Sequence, residues 1–160
     1  MDRLSPFQRS RLMAAIRGKD TKPELVVRRM VHRMGYRFRL HLKSLPGTPD
    51  LVFPRRRLAI FIHGCFWHRH QGCARSTTPK SRAEFWQAKF DANIARDHRD
   101  MAALDALGWR VAVLWECQTK DVLSLEQQLR LLLDEERPIS LAEGTTEHPP
   151  LRDLVDESTN

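Results

Sequence analysis

The chain has 160 residues, 41% hydrophobic and 29% charged, which suits one soluble domain with a real core and is too short for two comfortable ones. No apolar run nears the roughly 20 residues that cross a bilayer, and Met1–Pro6 lacks the apolar core of a secretory signal, so a cytoplasmic protein is expected. The net charge of +7 and a pI near 9.9 favour a polyanionic partner, because Lys and Arg contacts release the counterions condensed on phosphates.

In chain order, Ser5-Pro6-Phe7-Gln8 reads as a helix start, with Ser5 as N-cap and Gln8 closing a capping box, and the helix should run to about Gly18. Thr21-Lys22-Pro23-Glu24 repeats the pattern. Leu25, Val27, Met30, Val31 and Met34 then follow at helical spacing, and Gly35 is a fitting stop. The period changes to two at Tyr36, Phe38, Leu40 and Leu42, which alternate with Arg37, Arg39, His41 and Lys43; a half-exposed strand with a basic outer face is expected. Pro46-Gly47-Thr48-Pro49 breaks it.

Residues 50–53 and 58–62 are short apolar runs that suit buried strands, joined through Pro54-Arg55-Arg56-Arg57. Residues 64–80 have no regular period. Ser81-Arg82-Ala83-Glu84 opens a long helix that should end near Gly108, residues 109–115 read as a buried strand, and Ser124 caps a last helix with Leu125, Leu129, Leu132 and Leu133 on its core face. From Pro138 onward one basic residue stands against five acidic ones, which leaves −4 there and +11 on the rest. Residues 138–160 are expected to be a flexible acidic tail and residues 1–137 a single domain. The order α-α-β-β-β-α-β-α, without internal repeats, predicts an α/β fold in which helices cover a mixed sheet.

Cys65, His70 and Cys73 lie within nine residues, and Cys117 follows the last strand. Thiolates and an imidazole at this spacing suit tetrahedral Zn2+, and four protein ligands leave no open position, so the zinc would be structural. Three buried free thiols are the plainer alternative. Asp50 follows a proline turn at the mouth of a strand, where it is either a turn residue or a carboxylate for a hard cation such as Mg2+. His63 and His68 arrive close by, and two histidines beside an acid offer a base for water and a donor for a leaving oxygen.

Glu24 is explained by its capping box alone, or serves the site. Asp97 lies mid-helix, either on a charged outer face or turned inward to orient His68. Phe66, Trp67 and Trp86 could wedge between base pairs or pack in the core; Trp109 and Trp115 are assigned to the core. Met13, among Arg9, Arg11 and Arg17, could be a second wedge, although core packing explains it as well.

Six segments in this order, Leu45-Pro46-Gly47-Thr48-Pro49-Asp50, Phe61-Ile62-His63-Gly64-Cys65-Phe66-Trp67-His68, Glu84-Phe85-Trp86, Arg96-Asp97-His98-Arg99-Asp100, Leu107-Gly108-Trp109-Arg110-Val111 and Trp115-Glu116-Cys117, resemble the very-short-patch repair (Vsr) DNA mismatch endonucleases over about residues 5 to 120. The resemblance implies a restriction-endonuclease-like α/β/α core and hydrolysis of one DNA strand 5′ to the thymine of a T:G mismatch, the lesion left by deaminated 5-methylcytosine. It implies Mg2+ held by Asp50 and the backbone carbonyl of Ile62. His68 with Asp97 would activate water, His63 would act near the scissile phosphate, and Glu24 would be associated with the site. Cys65, His70, Cys73 and Cys117 would hold structural zinc. Phe66, Trp67 and Trp86 would wedge into DNA beside the mismatch and Met13 from the opposite side, within an N-terminal DNA-contacting helix over residues 1–20.

Two departures stand out. Ile62 occupies a position usually Thr in the family, and the His70–Cys73 spacing is one residue longer than in one well-known member. Where the wider nuclease superfamily carries Glu-x-Lys, this chain has Phe61-Ile62-His63, so histidine would replace lysine in the chemistry. The expected partner is double-stranded DNA, with other mismatch-repair proteins as further candidates and a monomer as the default. Two rival functions are a sequence-specific endonuclease indifferent to mismatches and a non-catalytic, zinc-stabilised DNA-binding module.

Overall fold

The computed structural model describes Gln8 and residues 18–134. The expected first helix, with Met13, and the tail from Pro138 fall outside the described residues. None of the described helices is long and apolar enough to cross a membrane.

Helix α1 spans Lys22–Arg33 behind the N-cap Thr21. The capping box forms in a shifted version: the Glu24 amide donates to Thr21 Oγ1 at 3.5 Å, and the Glu24 carboxylate accepts from the Thr21 hydroxyl at 2.9 Å and from the Asp20 amide, one residue before the N-cap, at 3.0 Å. Val27, Met30 and Val31 are buried on one face. The chain leaves the helix through Gly35 in the left-handed region (φ 88°), a conformation glycine adopts without a Cβ clash.

The expected strand from Tyr36 to Lys43 is a correction. Only Arg39–Leu40 pair as β1, antiparallel to β2 (Leu51–Phe53). Three residues of β2, between Pro49 and Pro54, offer too short a ladder to hold more. The twofold pattern still places Tyr36 and Phe38 against the core, whereas Leu40 is exposed and His41 turns out of the pattern at φ 46°. A 3-10 turn at Pro54–Arg56 then leads into β3 (Leu58–His63), antiparallel to β2.

Helix α2 (Ala83–Ala106) crosses over to β4 (Arg110–Trp115), which runs parallel to β3 with Leu58 opposite Arg110 and His63 opposite Trp115. The N-cap position of α2 is Arg82, in the left-handed region and without a side-chain cap of its own. The expected buried strand is buried only at Leu114, because β4 is an edge of the sheet order β1-β2-β3-β4. Helix α3 (Val122–Asp134) starts earlier than expected, with Asp121 accepting from the Ser124 amide at 3.1 Å in place of a Ser124 cap. Its Leu125, Leu129 and Leu133 are buried and Leu132 partly so.

Alternation along β3 separates two apolar layers. Leu58 and Ile60 join α1 and α3 on one face of the sheet. Ala59 and Phe61 meet Leu104 and Met101 of α2 on the other. The result is a mixed sheet with helices on both faces, the expected restriction-endonuclease-like α/β/α arrangement. Asp50 and His63 are thereby delivered to one end of the sheet.

Candidate active site

The turn before Asp50 is tightly specified. Gly47 has φ 69°, and a Cβ there would meet Asp100 Cβ at 2.9 Å and the Phe61 ring at 3.1 Å, so only glycine lets this turn lie against α2. Past the last ladder pair, the Asp50 carboxylate continues the pairing, its Oδ2 accepting from the Ile62 amide at 2.7 Å. A strand residue's N–H and C=O point to the same neighbour, so the Ile62 carbonyl faces the same side as the Asp50 carboxylate. Burial, with nearby Glu24 adding repulsion, pushes the Asp50 carboxyl up to about 6 against the Ile62 hydrogen bond. A buried carboxylate destabilised in this way, beside a carbonyl and open to a cleft, is a donor set that fits a hard divalent cation.

His63 falls on the α2 side of β3. Its ring stacks on His68 at 3.8 Å between centroids and 12° between planes. His68 Nδ1 lies 2.5 Å from Asp97 Oδ2, so Asp97 turns inward. A carboxylate accepting from Nδ1–H fixes the tautomer and leaves Nε2 free to take a proton. Burial first, then the charge of His68, pushes His63 down to about 4, and its imidazole is neutral at working pH.

Asp50, His63, His68, Asp97 and Glu24 line one cleft of about 670 Å3. Glu24 is 3% exposed and is both part of the capping network of α1 and a wall of the cleft, so its two readings coincide. Sequence reasoning missed Lys89, Asn93 and Arg96, which line the same cleft. With Asp97 and Asp100 they recur at helical spacing along α2, a polar stripe that could have identified them. It also missed His41, which lies 3.6 Å from Glu24 Oε2 and 3.7 Å from Asp50 Oδ1.

The aromatics divide. Trp67 lines the cleft, with Asn93 donating to its carbonyl at 3.0 Å and Lys89 5.5 Å from its ring centre. Phe66 and Trp86 pack edge-to-face at 5.6 Å and both meet Phe90; Trp86 is 7% exposed. In this state Trp86 is a buried support of the Phe66–Trp67 pair. The Met13 wedge lies outside the described residues.

The ligand atoms of Cys65, His70, Cys73 and Cys117 lie within 4.8 Å of one another. His70 Nδ1 is 3.7 Å from Cys65 Sγ and 3.3 Å from Cys117 Sγ. Zinc–sulfur and zinc–nitrogen bonds of about 2.3 and 2.0–2.1 Å at a tetrahedral angle put S and N about 3.6 Å apart, so the donor set fits. The longer His70–Cys73 spacing is absorbed by a turn, Cys73 N donating to His70 O and Gly72 sitting at φ 70°. Burial pushes the Cys65 thiol up to about 12, which a bound cation would reverse. His70 also stacks on Trp115 at 4.2 Å, and Trp115 meets the His63 ring edge-on at 5.5 Å. The two clusters thus share a wall.

The family model for "DNA mismatch endonuclease Vsr" matches residues 1–75. The chain is 58% identical over 133 residues to the Type II nicking enzyme V.XorIIP of Xanthomonas oryzae pv. oryzae, covering 83% of this chain and 97% of that protein. It is 45% identical over 109 residues to the DNA mismatch endonuclease Vsr of Escherichia coli, covering 68% and 69%. Over 134 residues it is 37% identical to the Type II nicking enzyme V.NmeAIP of Neisseria meningitidis, covering 84% and 95%.

Proposed function

The chain belongs to the Vsr family of DNA mismatch endonucleases, and from that premise we propose that it is a Mg2+-dependent nickase that cuts one strand 5′ to the thymine of a T:G mismatch. The observation that carries this reading is the His68–Asp97 pair at 2.5 Å in one cleft with the hydrogen-bonded Asp50 carboxylate. A pure DNA-binding module has no use for that convergence.

Asp50 and the Ile62 carbonyl would hold the magnesium, which when bound supplies Lewis-acid stabilisation of charge on the phosphate and a water of lowered pKa. His68 Nε2 takes the proton of the attacking water, and Asp97 holds the resulting imidazolium through Nδ1. His63 must remain neutral while its stacked neighbour is charged, and its low pKa ensures this. Its N–H would donate to a phosphate oxygen. Lys89 and Arg96 give the cleft positive charge for the DNA backbone. Trp67, backed by Phe66 and Trp86, is the ring offered for stacking beside the mismatch. Cys65, His70, Cys73 and Cys117 would bind structural zinc.

The test is nicking of matched duplex pairs that differ only in T:G or T:A, with Mg2+. The expected result is one nick in the T:G strand, abolished by Asp50→Ala with DNA binding retained; undiminished nicking by Asp50→Ala would sink the assignment. Two of the relatives compared above are named type II nicking enzymes, which favours a second reading in which sequence context governs cleavage. Equal nicking of T:G and T:A duplexes would select it.

A further inference from the structure

Asp50 has neighbours that the proposed chemistry does not use. Arg28, on α1, donates to Asp20 Oδ1 at 2.5 Å and to Glu24 Oε2 at 2.7 Å, and its Nη2 meets His41 Nε2 at 2.9 Å. An arginine has donors only, so His41 Nε2 must present its lone pair. The neutral ring then carries its proton on Nδ1, the nitrogen that faces Asp50 Oδ1 at 3.7 Å.

The two oxygens of Asp50 are therefore held differently. Oδ2 accepts a full hydrogen bond from Ile62. Oδ1 faces the N–H dipole at 3.7 Å, beyond hydrogen-bond length, so the ring biases the carboxylate electrostatically while the Oδ1 lone pairs stay open to a cation. His41 is 16% exposed and Arg28 11%. The ring reaches this position because the chain leaves β1 after Leu40 and His41 adopts φ 46°. Continued alternation would have sent it outward with Arg37 and Arg39.

We propose that His41, its tautomer set by Arg28, is a positioning residue that presents Asp50 Oδ1 to the catalytic divalent cation. The inference rests on Asp50 being the carboxylate for that cation. Partners that orient metal-binding carboxylates and imidazoles typically contribute 10–100-fold to metal affinity. His41→Leu should raise the Mg2+ concentration for half-maximal nicking by about that factor with little change in rate at saturating Mg2+. Gln offers both an acceptor for Arg28 and a donor toward Asp50, so His41→Gln should restore most of the affinity.

A readout independent of activity is the long-range 1H–15N NMR spectrum of the metal-free-Asp50 full chain near pH 8. His41 should show the Nδ1–H tautomer, and Arg28→Met should release it to the Nε2–H form. An Nε2–H tautomer in the unmutated protein overturns the proposal, as does wild-type Mg2+ dependence in His41→Leu or a Gln variant no better than Leu. Asp50→Asn separates the failures. If it still nicks with the wild-type Mg2+ midpoint, the Asp50 reading falls and takes this inference with it. If it is dead while His41→Leu keeps wild-type metal dependence, this inference alone falls.

Discussion

The end of the sheet and the 64–80 loop both bring functional groups to the cleft, by different physical means. Asp50 and His63 are fixed by backbone. The Ile62 amide holds Asp50, and the Glu116 amide bonds the His63 carbonyl at 2.9 Å. His68 has only short turns beneath it, such as His68 N to Gly64 O at 3.1 Å. Its position depends on side chains from elsewhere: Asp97, Asn93 at the Trp67 carbonyl, and the Cys117 end of the staple. Sheet ladders position a group without further help, whereas a loop lacking a ladder needs cross-links to reach the same precision.

Removing the staple tests this contrast most severely. With the four-residue cluster holding zinc as proposed, Cys117→Ser should lose it, lower the melting temperature by many degrees and reduce nicking at least as far as loss of His68, since metal binding to structural sites is coupled to folding. Zinc content, thermal unfolding and nicking rate check it. If the comparison is right, sheet-held Asp50 still responds to Mg2+ in whatever protein remains folded. His68→Ala is the cleaner probe of the loop alone, and should slow single-turnover nicking by about 10²–10⁴ with zinc content unchanged. An effect below tenfold would move the proton acceptor to another residue.

The same contrast governs what the sequence made legible. Helix α1 could be read because its cap, its apolar spacing and its glycine stop are all local. The two buried strands were readable as apolar runs. The extent of β1 was not, because it depends on how many partners β2 offers, and β2 has three residues. The metal-type spacing of Cys65, His70 and Cys73 announced a cluster, and the structure brings Cys117 to it. Asp97 could be placed on α2, but only the fold turns it toward His68. Trp86 could not be placed from its position in sequence, because only the fold packs it against Phe66 and Phe90. His41 escaped notice because its twofold pattern pointed it outward, and a single left-handed residue reversed that.

Asp50 also carries a stability signature of its own. Its folded carboxyl, raised from 3.8 to about 6, binds its proton more tightly than the unfolded one. The folded state therefore holds more protons between about pH 4 and 6, and stability falls as pH rises through that window. Asp50→Asn should make the protein without added Mg2+ more stable at pH 8 by on the order of 3 kcal/mol, with the gain vanishing near pH 4. Added Mg2+ should narrow the gap at pH 8 by stabilising the wild type. A gain that persists unchanged at pH 4 would show that the carboxylate's charge is not its source.

The smallest expected effect comes from the departure at Ile62. If this residue serves the site through its backbone, whose amide bonds Asp50 at 2.7 Å, then exchanging its side chain should leave the chemistry alone. Ile62→Thr restores the residue usual in the family and adds a hydroxyl at the same place. The side chain is partly buried against the α1–α3 core, so losing a methyl group and placing a hydroxyl there should cost on the order of 2 kcal/mol, more than an Ile→Val exchange. Nicking rate and Mg2+ midpoint should both remain within about twofold, less than 0.5 kcal/mol in transition-state stabilisation. A Mg2+ midpoint lowered tenfold by Ile62→Thr would mean that the hydroxyl joins the cation's shell. The sheet end would then, like the loop, depend on a side chain to complete its part of the site.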